Sequence, residues 1–204
     1  MNLQQQMDAF LEHLPQGKRL LLHSCCGPCS SYVLEYLSRF FAITVLFYNP
    51  CIHPAQEFQH RLEEQKKIVA LPQYQNPVDL LVPPYEPQTF FELVTGLEEC
   101  PEGGQRCKLC FSQRLSYTAK VAQEQHFDYF ATTLTVSPHK NQVVINQIGE
   151  ELSCKTALYL PSDFKRKTAT NVPWSFPKNT IYTARIIADV FSPKGRHSKC
   201  KRHC

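Results

Sequence analysis

Apolar residues in the first half of the chain switch between two spacings. Met7, Phe10, Leu11 and Leu14 recur at helical intervals, and Pro15-Gln-Gly17 ends that segment. Arg19-Leu-Leu-Leu-His23 is a nearly continuous apolar run, the pattern of a short buried strand, and it leads straight into Ser24-Cys-Cys-Gly-Pro-Cys29. Helical spacing returns over Ser30 to Phe41, with Val33, Leu34, Leu37, Phe40 and Phe41 on one face. Ile43-Thr-Val-Leu-Phe-Tyr48 is β-branched and aromatic, a second strand that stops at Asn49-Pro50. Strand, glycine-containing turn, helix and strand make a βαβ unit, which predicts a parallel sheet.

The alternation continues downstream. Pro54 to Leu71 reads as a charged helix with Phe58, Leu62, Gln65 and Val69 on one side, and Asp79-Leu-Leu-Val82 as a short strand. A helix from Phe90 to Leu97 is interrupted by the loop Glu98-Glu-Cys-Pro-Glu-Gly-Gly-Gln-Arg-Cys107, and helical spacing resumes from Cys110 to about Glu124. Phe127-Asp-Tyr-Phe-Ala-Thr-Thr133 is the next strand, followed by Ser137-Pro-His-Lys-Asn141 and a helix through Glu151. Without internal repeats or low-complexity segments, everything to about Asp163 fits one doubly wound α/β domain.

Composition narrows the class. With 204 residues, 43% of them hydrophobic, and 22 Lys+Arg against 18 Asp+Glu (net charge +4), the chain is neither disordered nor collagen-like. No run approaches the roughly eighteen apolar residues of a membrane span. The polar opening segment lacks a basic stretch followed by an apolar one, so the expected compartment is the cytoplasm. Ten cysteines in a reducing compartment argue for metal or redox chemistry rather than a disulfide framework.

The cysteines fall where an open α/β sheet places its ligands, beyond the C-terminal ends of the strands. Cys25, Cys26 and Cys29 follow the first strand, and Cys26-Gly-Pro-Cys29 by itself suits either a thioredoxin-like pair at a helix N-terminus or half of a metal site. Cys107-Lys-Leu-Cys110 is a second such pair, again where a loop enters a helix. Two distant Cys-x-x-Cys groups are the usual source of four thiolates for one metal centre. Zinc and an iron–sulfur cluster both accept that set. Consecutive Cys25 and Cys26 favour a cluster, because structural zinc sites take ligands two to four residues apart. Cys51, Cys100 and Cys154 read as ordinary small apolar residues. No phosphate-cradling glycine loop, Ser-His-Asp order or HExxH is present. His23 reads as a core histidine, and His139 as the histidine placed to touch a substrate.

Several segments together resemble one family. Leu20-Leu-Leu-His-Ser-Cys-Cys-Gly-Pro-Cys-Ser30, Phe47-Tyr-Asn-Pro50, Arg61-Leu-Glu-Glu-Gln65 and Gly96-Leu-Glu98 are similar to QueH, the cobalamin-independent epoxyqueuosine reductases. So are Pro101-Glu-Gly-Gly-Gln-Arg-Cys-Lys-Leu-Cys-Phe111, Thr132-Thr-Leu-Thr-Val-Ser-Pro-His-Lys-Asn141 and Leu160-Pro-Ser-Asp-Phe-Lys165. These motifs cover Arg19 to Lys167. The resemblance implies a single Rossmann-like (HUP-type) domain, with a mostly parallel sheet and helices on both faces. It implies reduction of epoxyqueuosine to queuosine at the wobble position of tRNA, the last step of queuosine biosynthesis. It further implies a [4Fe-4S] cluster on Cys25, Cys26, Cys107 and Cys110, one additional iron with Cys29 as its candidate ligand, and an unidentified electron donor. Arg106, Lys108, Arg114, His139, Lys140, Lys165, Arg166 and Lys167 are candidates for a basic rim around the site, with Arg106, Lys108, His139, Lys140 and Lys165 placed against the tRNA. Tyr48, Tyr85, Phe90 and Phe91 are the aromatics available for stacking on a splayed base.

From Thr168 the motifs stop. The family ends near a Tyr-Cys-Gly-Cys whose cysteines form a redox-active disulfide, and this chain ends Cys200-Lys-Arg-His-Cys204. Codons written for Lys167 through Val190 and read one base out of step permit DGYKRSMELSEEYNLYRQDYCGC, a well-formed ending for the family. The expectation is therefore an α/β iron–sulfur reductase domain over residues 1–167 and a frameshifted tail over 168–204, with the family's redox disulfide absent and activity impaired. Cys200 and Cys204 are assigned neither to that disulfide nor to a zinc site with His197 and His203. Two other classes compete. A tRNA sulfur-transfer or nucleotide-activating enzyme of similar fold needs a Ser-Gly-Gly-x-Asp-type loop where Ser24-Cys-Cys-Gly-Pro-Cys29 stands, and a zinc-stapled binding module needs only the four thiolates.

Overall fold

A computed structural model describes residues 2–165. The elements run α1 (Leu3–Glu12), β1 (Arg19–His23), α2 (Gly27–Leu37), β2 (Ala42–Leu46), α3 (Ala55–Val69), β3 (Val78–Leu81), α4 (Gln88–Leu93), α5 (Gln105–Glu124), β4 (Tyr129–Thr132), a 3-10 turn (Thr133–Val136), α6 (Gln142–Glu151) and β5 (Leu158–Tyr159). Among the described residues the strands form one sheet in the order β3-β2-β1-β4-β5, and every pairing is parallel. The expected α/β architecture is therefore present, with a sheet parallel throughout.

Side chains alternate across β1 because a strand repeats every two residues. Leu20 and Leu22 join a core with Met7, Val33, Leu37 and Phe41 from α1, α2 and the segment after it. Leu21 points into a second core with Leu115, Ala119 and Ala122 of α5 and Ile145 of α6. Both faces of the sheet are thus covered by helices, which explains why β1 is apolar along nearly its whole length.

Two boundaries differ from the sequence pattern in ways that matter for the site. Helix α2 begins at Gly27 rather than Ser30, with Cys26 as its N-cap and a proline in its first turn. Helix α5 begins at Gln105 rather than Cys110, so Cys107 and Cys110 sit on its first two turns. Gly104 starts it because nothing larger fits: a Cβ there would lie 2.6 Å from Cys100 Sγ and 2.9 Å from the Pro101 carbonyl oxygen. Gly103 supplies the left-handed turn before it, at φ +82°.

The strand order reverses direction at β1, whose two neighbours are β2 and β4. Chain leaving β1 turns into α2 on one side of that switch point, and chain leaving β3 reaches β4 through α4 and α5 on the other. Open α/β sheets place their ligands at such a switch point, and here Cys107, on the first turn of α5, packs with Cys25 beside the start of α2.

Candidate metal centre at the switch point of the sheet

The loop between β1 and α2 is held from three directions. Ser24 N donates to Leu46 O at 3.0 Å, extending the sheet by one bond. Asn49 Nδ2, just past β2, donates to Ser24 O at 2.8 Å. Beneath the loop lies a buried cluster: Ser24 Oγ donates to Gln65 Oε1 at 2.7 Å and Ser30 Oγ to Cys26 O at 2.8 Å, with the two hydroxyls in contact. Helix α3 approaches closely enough that a Cβ on Gly27 would meet Ile68 Cγ1 at 3.1 Å and Glu64 O at 3.2 Å. Cys25, Cys26 and Cys29 are therefore fixed by backbone and buried side chains.

Their three Sγ atoms all lie within 4.8 Å of one another, Cys25 and Cys26 at 3.9 Å. Cys25 is the thiol that ionises first. Hydrogen bonds from the Cys26 and Cys29 thiols hold it well below the usual thiol range, and the Lys140 and Arg114 charges help. Hydrogen bonding to the ionised Cys25 in turn pushes Cys26 up to about 12 and raises Cys29 well above the usual thiol range. Lys140 is half-buried and stays protonated: burial works against its charge, and the neighbouring Cys25 thiolate outweighs it. Lys165 Nζ donates to Lys140 O at 2.7 Å and pins that segment. Arg61, from α3, pairs with Glu57 at 2.8 Å, and the Cys25 charge also favours its protonated form.

The opposite wall is α5. Cys107 shares a buried apolar cluster with Cys25, Leu46, Phe111 and Leu134, and Cys26 and Cys29 pack against its edge. Gly103 N donates to Cys107 Sγ at 3.3 Å. Cys110 is wholly buried in the adjoining cluster beside Phe47, Phe90 and Cys51. The Cys51 thiol is pushed well up by its hydrogen bond to Cys110 and by burial. Arg114, one turn further along α5, donates from Nε to Cys110 O at 3.0 Å and from Nη2 to Cys110 Sγ at 3.1 Å.

Of the four predicted ligands, Cys25 and Cys26 stand in one tight group that also takes in Cys29. Neither Cys107 nor Cys110 belongs to that 4.8 Å group: Cys107 packs in the same cluster as Cys25, and Cys110 lies in the adjoining cluster with Cys51. The donor set fits a thiophilic metal group: soft sulfur ligands at two helix N-termini, with cations nearby to offset their charge. The trio suits one ion with metal–sulfur bonds of about 2.3 Å, and the wider set suits a cluster, whose ligands attach at separate corners.

The predicted rim is partly corrected. Arg114 is only 2% exposed and lies inside, against Cys110, where no polynucleotide reaches it. Lys108 and His139 are exposed, and Arg106 is half-buried. Arg106 lines an open cleft of about 370 Å³ with Phe91, Thr95 and Glu98, beside the start of α5. Phe90 is core, at 1% exposure, whereas Phe91 is open to solvent. Tyr48 stacks on Tyr117 at 3.8 Å between ring centroids, and Tyr85 on Phe58 at 4.2 Å. Arg166, Lys167 and the tail cysteines lie outside the described residues.

A family model described as epoxyqueuosine reductase QueH matches residues 20–185. The chain belongs to the QueH family. That match begins at the first residue of the β1 motif and continues past Lys167, the point where the individual motifs end. Among similar proteins named epoxyqueuosine reductase QueH, that of Streptococcus pyogenes serotype M1 is 46% identical over 165 residues, covering 79% of this chain and 65% of the relative. The one from Staphylococcus epidermidis is 42% identical over 155 residues, covering 72% and 64%. The one from Dehalococcoides mccartyi is 36% identical over 183 residues, covering 89% and 96%. The chain thus spans just under two thirds of the first two relatives. QueH membership implies a metal cofactor, in agreement with the cysteine cluster. Among the described residues no helix is long and apolar enough to cross a membrane.

Cys51 was passed over in the sequence as an ordinary apolar residue. It lies just past the C-terminal end of β2, and the strand-end rule that singled out Cys25 applies equally to it.

Proposed function

We propose that this chain reduces epoxyqueuosine to queuosine in tRNA, with a [4Fe-4S] cluster on Cys25, Cys26, Cys107 and Cys110, and an additional iron at Cys29. The observation that supports it is the Cys25, Cys26 and Cys29 trio packed with Cys107 at the switch point of a QueH-family sheet. Two electrons and two protons convert an epoxide to an alkene and water. When bound, the cluster supplies electrons one at a time and the additional iron a Lewis-acid site for the oxygen. Lys140 Nζ, held charged beside Cys25 and Cys29, donates a hydrogen bond to the departing oxygen. Arg106, Lys108, His139 and Lys165 meet the phosphates of an anticodon loop, and exposed Phe91 offers a face for an unstacked base. The partners are that tRNA and an electron donor, in the cytoplasm. Anaerobic reconstitution followed by mass analysis of epoxyqueuosine-containing tRNA tests the reading. A reconstituted protein that leaves the epoxide intact with a low-potential reductant present contradicts it, provided the QueH ending discussed next has been restored.

We further read residues 1–167 as the reductase domain and 168–204 as a frameshifted tail in place of DGYKRSMELSEEYNLYRQDYCGC. Resequencing the coding DNA decides this: an intact frame encoding the present tail refutes it.

A zinc-stapled module is the second reading, favoured by the 4.8 Å trio, which fits a single tetrahedral ion. Metal analysis and colour separate them, since an anaerobically purified cluster protein is brown and a zinc protein colourless.

A further inference from the structure

We infer that Arg114 sets how readily the centre held by Cys110 accepts an electron, an inference that rests on the cluster reading above. A guanidinium buried to 2% exposure carries a desolvation cost that an apolar residue of similar length would not. Arg114 is placed so that its charge bears on sulfur. Its Nε–H bond to the Cys110 carbonyl, 3.0 Å and one turn back on the same helix, clamps the side chain along α5. With that bond made, Nη2 has a fixed aim at Cys110 Sγ, 3.1 Å away. The guanidinium carbon also sits 5.8 Å from the Phe111 ring centroid. The charge reaches past Cys110: it favours the thiolate forms of Cys25 and Cys51 and opposes protonation of His23.

The sign follows from charge alone. One-electron reduction makes a thiolate-ligated centre one unit more negative, with no bond to the protein formed or broken. Arginine is protonated in both states, so no proton moves with the electron. A cation hydrogen-bonded to a ligand sulfur stabilises the more negative state and raises the potential. Lys140 and Arg61 add positive charge from the α2 side. Lys140 is half-buried and Arg61 is paired with Glu57, so both charges are partly offset, whereas the Arg114 charge is directed at sulfur in a dry interior.

The test is a redox titration with dithionite and mediators, followed by the paramagnetic signal of the reduced centre, on anaerobically reconstituted full chain. Iron and sulfide are assayed on every sample. Wild type is measured first; failure to form a reducible iron–sulfur centre defeats the cluster reading itself, separately from the role of Arg114. Arg114→Met and Arg114→Gln remove the charge, and Arg114→Lys keeps it without the planar fork. Both neutral variants should show a reduction equilibrium constant about tenfold smaller, a midpoint about 59 mV lower for one electron, and Arg114→Lys should recover most of that shift. Unchanged midpoints in neutral variants with full iron and sulfide overturn the inference. So does loss of the centre in the neutral variants, whether or not Arg114→Lys loads normally, because Arg114 would then serve assembly rather than potential.

Discussion

The imidazole of His23 closes β1 in complete burial, with Nε2 donating to Tyr48 O at 3.1 Å and Thr132 Oγ1 2.9 Å from Nδ1. Burial, and then the Arg114 charge, lower its pKa to about 3. The unfolded chain's histidine protonates near 6.5, so between pH 6.5 and about 3 the unfolded state binds the extra proton. The stability tied to a neutral His23 is complete above pH 6.5 and is lost as the pH falls through that window. Melting temperatures of wild type and His23→Gln at pH 7 and pH 5 check this: wild type should lose more on acidification, and equal losses would exclude His23. The cysteines give a second test at this scale. Cys107→Ser should lower iron and sulfide content and abolish reduction, because a missing thiolate leaves an iron under-coordinated. Cys51→Ala and Cys154→Ala should keep iron near the wild-type level, and a full cluster in Cys107→Ser would refute the ligand assignment. The meeting of Cys25, Cys26 and Cys29 with Cys107 was legible because pair spacing survives in a linear sequence. The burial of Arg114 was not, because a charged residue between a cysteine pair and an apolar run looks the same facing solvent or sulfur.

Among the elements, α6 and β5 are fitted most closely. A Cβ added to Gly149 would lie 2.4 Å from the Tyr159 ring. Tyr159 cannot turn aside without loss, since its hydroxyl donates to Asn146 Oδ1 at 3.0 Å and Phe130 packs on its ring. Asn146 also accepts from Ser162 N and donates to Ser162 O, tying α6 to the segment after β5. Gly149→Ala should therefore destabilise by about 1–3 kcal/mol through overpacking, read as a lower urea midpoint with unchanged slope. No loss would mean that the helix shifts freely. The sequence showed β1, β2 and the helical periods to within a few residues, because apolar spacing reports a half-buried surface directly. It missed β5, whose two residues become a strand only by pairing with Tyr129 and Phe130 of β4. It placed the start of α5 late because Gln105-Arg-Cys-Lys108 carries no apolar period, and the start is fixed by Gly104 fitting under Cys100.

For the molecule as a whole, a net charge of +4 is modest for the tRNA binding proposed above, and the structure takes Arg114 out of that count by burying it. Binding should then depend on a few exposed cations, and Lys108→Glu should weaken tRNA affinity more at low salt than at high salt; an unchanged affinity at low salt removes Lys108 from the interface. The tail bears on turnover. A version carrying DGYKRSMELSEEYNLYRQDYCGC from residue 167 should be much more active than the present chain toward epoxyqueuosine-containing tRNA, while both bind iron. A dithiol that cycles to a disulfide relays electrons, and the present tail spaces its cysteines differently in sequence, as Cys200-Lys-Arg-His-Cys204. Equal activity would show that the family's terminal pair is dispensable here.

The two walls of thiols also have an order in time. Cys29 and Cys107 are about eighty residues apart, which at cellular synthesis rates is on the order of ten seconds. β1, α2, β2 and α3 carry local contacts enough to gather Cys25, Cys26 and Cys29 while α5 is still unmade. For that interval the nascent chain presents three clustered thiols, one of them readily ionised, with no partner wall. It is then competent to capture a single thiophilic ion such as zinc, or to oxidise. On the cluster reading proposed above, delivery of iron and sulfide after α5 has docked, rather than affinity alone, would secure the metal.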